Sequence, residues 1–227
     1  MFCFITSLRS PQVAENWQAI CGLFERTAAS VFSQTCPEFR LIVVCNQLPI
    51  LSRAFDNRLE FIIVDLPVQK THGSMCADKL KKLLIAMQRV RELNADYVMP
   101  IDADDLVSRN LVSHVLKYPD ADGWYVARGW KYQYGRHWKE KLDDFNRNCG
   151  TCNVLARRWF AFPNNPEQER KADAALITHG HDQVIDAFTA QGARLRPFPF
   201  RAATYIRHKE NASALSDYYQ PRNRSKN

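Results

Sequence analysis

Short continuous apolar runs alternate with longer stretches of helical period. Phe2-Cys3-Phe4-Ile5, Phe39 to Cys45 (FRLIVVC), Leu59 to Val64 (LEFIIV) and Tyr97 to Ile101 (YVMPI) are bounded by polar residues and predict buried strands. Trp17, Ile20, Cys21, Phe24, Ala28, Val31 and Phe32 recur at helical spacing, with Ser10-Pro11 as the expected helix start and Cys36-Pro37 as its stop. Residues 67 to 76 read as a loop. Leu80, Leu83, Leu84, Met87 and Val90 then form one stripe of a second helix, with Lys79, Lys81, Lys82, Arg89 and Arg91 on its other face. The order before residue 106 is β-α-β-β-α-β. It predicts an α/β fold with a mostly parallel central sheet flanked by helices.

The pattern changes after a helix through Val112 to Leu116. Trp124-Tyr125-Val126 reads as a strand, and Trp130, Tyr132, Tyr134 and Trp138 alternate with polar residues around Gly135 as in a hairpin. Its aromatic rings would either stack on a sugar or base, or cover the core as in any hairpin. Thr151 to Leu155 is a short strand. Residues 163 to 176 read as a mobile surface insert. His179-Gly180-His181-Asp182 opens a helix that Gly192 ends, and Thr204-Tyr205-Ile206 is the last strand.

Length and composition add bounds. The 227 residues suit one sizeable α/β domain, expected over 1–227: a nucleotide-binding half (1–106), an acceptor-side half (107–215) and a basic tail (216–227). No apolar run is long enough for a membrane span, and the first residues lack a signal-peptide layout, so the expected location is the cytoplasm. The seven cysteines are odd in number, and several lie in apolar runs, as reduced core thiols do. Cys149-Gly150-Thr151-Cys152 has no second pair or histidine at zinc spacing and reads as packing. A net charge of +7 favours polyanionic partners, including nucleotide phosphates, and allows peripheral contact with the inner face of a membrane.

The candidate chemistry centres on Asp102-Ala103-Asp104-Asp105, placed where the Tyr97 to Ile101 strand ends. Three carboxylates in four residues repel one another and resist burial. Mg²⁺ or Mn²⁺ would relieve that repulsion and bridge to phosphate, at the strand end where α/β sheets bind nucleotides. The plain alternative is a solvated acidic turn.

Four segments together resemble the family 2-type glycosyltransferases of GT-A fold. They are Ser30-Val31-Phe32-Ser33-Gln34-Thr35 with Pro37 and the strand LIVV; Ile101-Asp102-Ala103-Asp104-Asp105, similar to the metal-binding DxD; Gly180-His181-Asp182, similar to the family's Gly-Glu-Asp; and His208-Lys209-Glu210-Asn211-Ala212-Ser213, similar to its His-x-x-Asn-x-Ser. The resemblance implies a nucleotide-diphospho-sugar donor and a divalent metal. Thr6 and Ser7 would cradle the nucleotide, with Asn46 and Lys79 beside it. Asp102 would face the ribose or the metal, Asp104 would bind the metal, and His208 would be a further ligand or phosphate contact. Asp182 would be the base that activates the acceptor hydroxyl, with inversion at the anomeric carbon. Asp105 itself reads as a loop or cap residue that supports the ligand carboxylate. The expected acceptor is a glycan or lipid-linked glycan. Three departures stand out: Cys45-Asn46-Gln47 where the family carries acids, Asp78-Lys79 in place of Ala-Arg-Asn, and His181 in place of Glu.

Rival readings find less support. A sugar nucleotidyltransferase needs a Gly-rich loop after the first strand, and Thr6 to Ser10 has no Gly. An Asp-nucleophile phosphohydrolase places DxD after the first strand rather than the fourth. A non-catalytic basic nucleotide- or nucleic-acid-binding protein fits the charge, but three carboxylates in its crevice would repel phosphate, so no stable nucleic-acid complex is expected.

Overall fold

The computed structural model describes residues 1–67, 72–178 and 180–208. Strands β1 (Phe2–Ser7), β2 (Phe39–Cys45), β3 (Leu59–Ile63) and β4 (Tyr97–Pro100) alternate with helices α1 (Trp17–Phe32) and α2 (His72–Glu92) as the periodicity predicts. These four strands are parallel to one another, and β1 lies between β4 and β2. Beyond them come β5 (Leu106–Val107), α3 (Leu111–Leu116), β6 (Gly123–Tyr125), β7 (Gly129–Gln133), β8 (Lys139–Leu142), β9 (Asn153–Ala156), α4 (Pro166–Asp173), α5 (Val184–Thr189), β10 (Leu195–Pro197) and β11 (Ala203–Arg207). The main sheet has the order β10-β6-β9-β4-β1-β2-β3. A second sheet has the order β5-β11-β7-β8.

The period of two along each strand separates two cores. Phe2, Phe4, Leu41, Val43 and Met99 face α1 and α3. Cys3, Ile5, Ile42, Val44 and Val98 face α2 and α5. With α1 and α2 on opposite faces, the connections diverge on either side of β1. The crevice at the carboxyl ends of β1 and β4 is therefore the switch point where such sheets receive ligands. β9 is antiparallel to both β4 and β6, so its N-terminal end sits beside the carboxyl end of β4.

The Ser30 to Thr35 segment acquires a physical reason. Ser30 Oγ accepts from the Val107 amide at 3.1 Å, and the Gln34 side chain donates to the Ser108 carbonyl and accepts from the Val112 amide. The Thr35 amide and hydroxyl both reach the Arg109 carbonyl. Thr27 Oγ1 donates to the Ala103 carbonyl at 3.0 Å. The end of α1 thus clasps the chain that leaves the acidic turn.

Several expectations need correction. Ser10-Pro11 starts only a single 3₁₀ turn; α1 begins at Trp17, where Asn16 Oδ1 accepts from the Ala19 amide. Glu15, Asn16 and the extended Ala14 separate the two, so Ser10 cannot cap α1. The loop after residue 66 is shorter than expected, because α2 begins at His72. The 163–176 insert is helical rather than an irregular surface loop. Asn165 caps α4 by accepting from the Gln168 amide, Asp173 pairs with Arg91 of α2, and Ala172 and Asp173 are buried. A wider, π-type turn over Ala174–Thr178 continues it. α5 begins at Val184 rather than at the His179 to Asp182 segment. β5 and β10 were not anticipated: at two and three residues they are too short for a period to register. His179, the residues after His208 and the basic tail lie outside the described residues.

Candidate active site

The acidic turn divides its three carboxylates among three environments. Asp105 is the buried one, 1% exposed. It accepts from the Thr151 hydroxyl at 2.6 Å, the Cys149 thiol at 2.8 Å and the Ile206 amide at 3.0 Å. Burial pushes its carboxyl well above the ordinary range, and the neighbouring charges of Asp104 and Asp102 add to this. Burial, with the Asp105 and Asp102 charges, likewise keeps the Cys149 thiol protonated. Asp105 therefore binds the turn to β11 and to the Cys149-Thr151 loop. That is a structural role, and Thr151 carries it on to the Asp102 amide.

Asp102 is half-buried, and its carboxylate pairs with Lys79 from the first half of α2. Burial pushes Asp102 up, but the Lys79 charge and hydrogen bond outweigh it and hold the carboxyl below its usual value. Lys79 is raised in turn, by the Asp102 charge first and also by Asp104. The Thr151 hydroxyl accepts from the Asp102 amide at 2.9 Å, which fixes the turn from the β9 side. Gly150 allows the approach: a Cβ there would stand 3.1 Å from Asp102 Oδ2. Asp104 is the third environment. Its Oδ2 lies 2.8 Å from His208 Nε2, one residue past β11.

The donor set can be tested for a hard divalent cation. Ligand atoms of Asp102, Asp105 and Cys149 all lie within 4.8 Å of one another. Asp105 and the protonated Cys149 thiol are committed to each other, and a thiol suits softer metals. Asp102 and Asp104, the carboxylates expected to hold the metal, stand against Lys79 and His208 respectively, and among the described residues neither Asp104 nor His208 joins the cluster of Asp102, Asp105 and Cys149. Lys79 supplies a fixed positive charge at Asp102.

The remaining predicted residues fall at the same end of the sheet. Thr6 is buried at the end of β1, and its Oγ1 has no hydrogen-bond partner. Ser7 closes β1 and is partly exposed. Asn46 Nδ2 donates to the Val64 and Leu66 carbonyls, bracing the ends of β2 and β3, while its buried Oδ1 has no partner. Lys82 departs from expectation. It is fully buried, and its Nζ donates to Asp78 at 2.6 Å and to the Leu8 carbonyl at 2.9 Å. It fixes the chain leaving β1 and does not belong to the solvent-facing basic side of α2.

Asp182 is exposed, in the turn before α5. Its carboxylate folds over Gly180, where a Cβ would lie 2.5 Å from Asp182 Oδ1. The preceding His181 carbonyl accepts from Asn153 Nδ2 at 3.0 Å, which ties this turn to the start of β9. Gly180 and His181 thereby line the same cleft as Gly150 and Asp102, while Asp182 is not among its lining residues. Sequence reasoning passed over Thr151 and Asn153; the Cys149 to Cys152 pattern was the signal that marked their loop. All seven cysteines are free thiols, as composition suggested.

No protein-family model matches the chain, and no curated protein sequence does. Among solved structures it resembles residues 1–349 of S. aureus TarS in complex with UDP-GlcNAc, with a TM-score of 0.51 and 11% identity. The likeness is one of fold. It covers 95% of this chain and 61% of that one, so the chain spans under two thirds of the TarS fragment. A longer TarS crystal structure aligns with a TM-score of 0.46 at 13% identity over 92% of this chain and 37% of that one; the TarS 1–349 complex with UDP gives 0.45 at 11% over 92% and 61%. No helix among the described residues is long and apolar enough to cross a membrane.

Proposed function

We propose that this chain is a metal-dependent glycosyltransferase that moves a sugar from a nucleotide-diphospho-sugar to an acceptor hydroxyl, with inversion. The observation that carries the reading is the distribution of charge at the switch point: Asp102 faces Lys79 and Asp104 faces His208, side by side at the end of β4. A departing diphosphate needs concentrated positive charge, and a fixed ammonium and an imidazole stand beside the two carboxylates. A divalent cation on Asp104 would act there as a Lewis acid toward the leaving group. Thr6 and Asn46 lie at the ends of β1 and β2, where the nucleoside would approach. Asp182 is the base that takes the proton of the attacking hydroxyl. A fold shared with a UDP-GlcNAc-bound protein supports a nucleotide-sugar donor. Residues 1–106 form the donor half and 107–215 the acceptor half, for a glycan or lipid-linked glycan.

The test is calorimetric titration of UDP, GDP and their sugar conjugates with and without Mn²⁺, repeated on Asp104→Ala. Binding is expected to need the metal and to weaken at least tenfold in the variant. Binding that ignores both the metal and Asp104 would overturn the reading.

A further inference from the structure

The hairpin of β7 and β8 ends in a tip that the rest of the fold does not cover. Residues 133–141 are exposed in succession, with Tyr134 at 45% and Trp138 at 56%. Gly135 takes a left-handed φ of 83° to turn the chain between the strands. The strand register sets Trp130 opposite Lys141 and Tyr132 opposite Lys139. These four side chains therefore share one face of the ribbon, while Glu140 and its partner Lys131 lie on the other. Lys139 Nζ lies 4.2 Å from the centre of the Trp130 ring. Asp143, at the base of the hairpin, is paired with Arg201. Among the described residues, Arg136 and Lys141 have no carboxylate partner.

Lysine on an edge strand is an ordinary guard against pairing with another chain, and β8 is the edge of its sheet. Trp138 does the opposite, since it adds exposed apolar surface beside that edge. An aromatic tip among cations, with the one carboxylate turned to the other face, is complementary to an anionic membrane surface. Tryptophan and tyrosine rings settle at the headgroup level, and lysine and arginine gain from the acidic lipids there. The tip is also held in place. The Tyr134 amide and Gln133 Nε2 both donate to the Arg207 carbonyl, at 2.8 and 3.0 Å. The Arg26 guanidinium lies 4.8 Å from the centre of the Tyr134 ring. Arg207 leads directly to His208, and so to Asp104.

We infer that this hairpin docks the protein on an anionic lipid bilayer, with Tyr134 and Trp138 at the headgroups and Arg136, Lys139 and Lys141 against the lipid phosphates. The attachment is a peripheral one. It holds the candidate active site beside the bilayer surface, through the short path from Arg207 to Asp104. The inference goes beyond the transferase reading and does not depend on it.

Co-sedimentation of the full chain with vesicles of phosphatidylcholine, and of phosphatidylcholine mixed in equal parts with phosphatidylglycerol, reads the attachment. Binding is expected to the anionic vesicles alone and to weaken as salt is raised. Each cation near an anionic surface contributes about fivefold to partition, so Arg136→Glu combined with Lys141→Glu should lower it at least about tenfold. Trp138→Ser, which leaves the charge unchanged, should lower it severalfold. Thermal unfolding of each variant identifies any that fail to fold, and the two variants act by independent means. Calorimetry with UDP reads the donor site separately, so the failure of one claim is distinguishable from the failure of the other. Equal binding to both kinds of vesicle, binding to neither, or partition that survives in both folded variants overturns the assignment. Retention on heparin without binding to vesicles assigns the face to a soluble polyanion and overturns it as well.

Discussion

Replacing Asp105 tests whether the acidic turn is held from behind. Asp105→Ala strands the Ile206 amide and the Thr151 hydroxyl, both accepted by Asp105 inside the protein. Each unsatisfied buried donor costs about 1–3 kcal/mol, and the Cys149 thiol adds little, so the loss should be about 2–6 kcal/mol. Against a total stability of ~5–15 kcal/mol this is severe, and the melting temperature should fall by about 2–4 °C per kcal/mol. Asp105→Asn keeps one acceptor and should cost about 1 kcal/mol near neutral pH. The two variants also differ in pH response. The native Asp105 carboxyl lies well above its ordinary value, so between the unfolded and folded values the folded protein binds more protons. That contribution is fully present below the unfolded value of about 3.9 and is lost as pH rises through the folded one. Asparagine has no such dependence, so the stability difference should shift in favour of Asp105→Asn as pH rises. Urea unfolding of the parent and both variants from pH 4 to pH 9 reads this directly. A flat difference curve for Asp105→Asn, or an Asp105→Ala variant within 0.5 kcal/mol of the parent (an order-of-magnitude threshold set by typical surface substitutions, ~0.5 kcal/mol), refutes the reasoning.

Lys82→Ala should destabilise by about 3–5 kcal/mol in chemical denaturation, because it leaves Asp78 and the Leu8 carbonyl without their buried cation; Lys82→Met, which keeps the apolar stem, should lose less. Gly123→Ala should cost about 3 kcal/mol or more by thermal unfolding, since its Cβ would lie 2.1 Å from the Val154 carbonyl oxygen across the β6–β9 pair. Asp182→Asn should retain donor affinity by calorimetry and lose about 10²–10⁴-fold in transfer rate; full transfer would remove Asp182 from the chemistry.

The first half of the fold was legible because β1, β2 and β4 are buried on both faces and each helix buries one stripe, so period and burial agree; β3, at the sheet edge, is only partly buried. The acidic turn was legible as a place, since a run of carboxylates must end a buried strand. Its internal division was not. Asp105 differs from Asp104 only through partners about 45 and 100 residues away, Thr151 and Ile206, and no local pattern announces such partners. Lys82 shows the same limit. On a helical wheel it belongs to a basic face, yet the fold lays the end of β1 across it. The 163–176 segment misled because its Pro, Asn and Glu look like loop chemistry, while two of them, Asn165 and Pro166, are a helix start. In the second sheet the hairpin of β7 and β8 and the last strand β11 were legible, while β5, with two residues, had too little sequence to carry a period.

The antiparallel β9 has a consequence for how the chain is made. Among the described residues β6 pairs with β9 and β10, both of which follow it in the chain. On a ribosome, β1 to β4 can pair as soon as they emerge, but β6 must wait some thirty residues, until Asn153–Ala156 arrives, for any strand to join it to that nucleus. Through that interval Trp124, 2% exposed in the finished protein, has no sheet to bury it. The stretch from residue 123 to residue 156 is therefore the window in which the nascent chain is most open to chaperones and to aggregation.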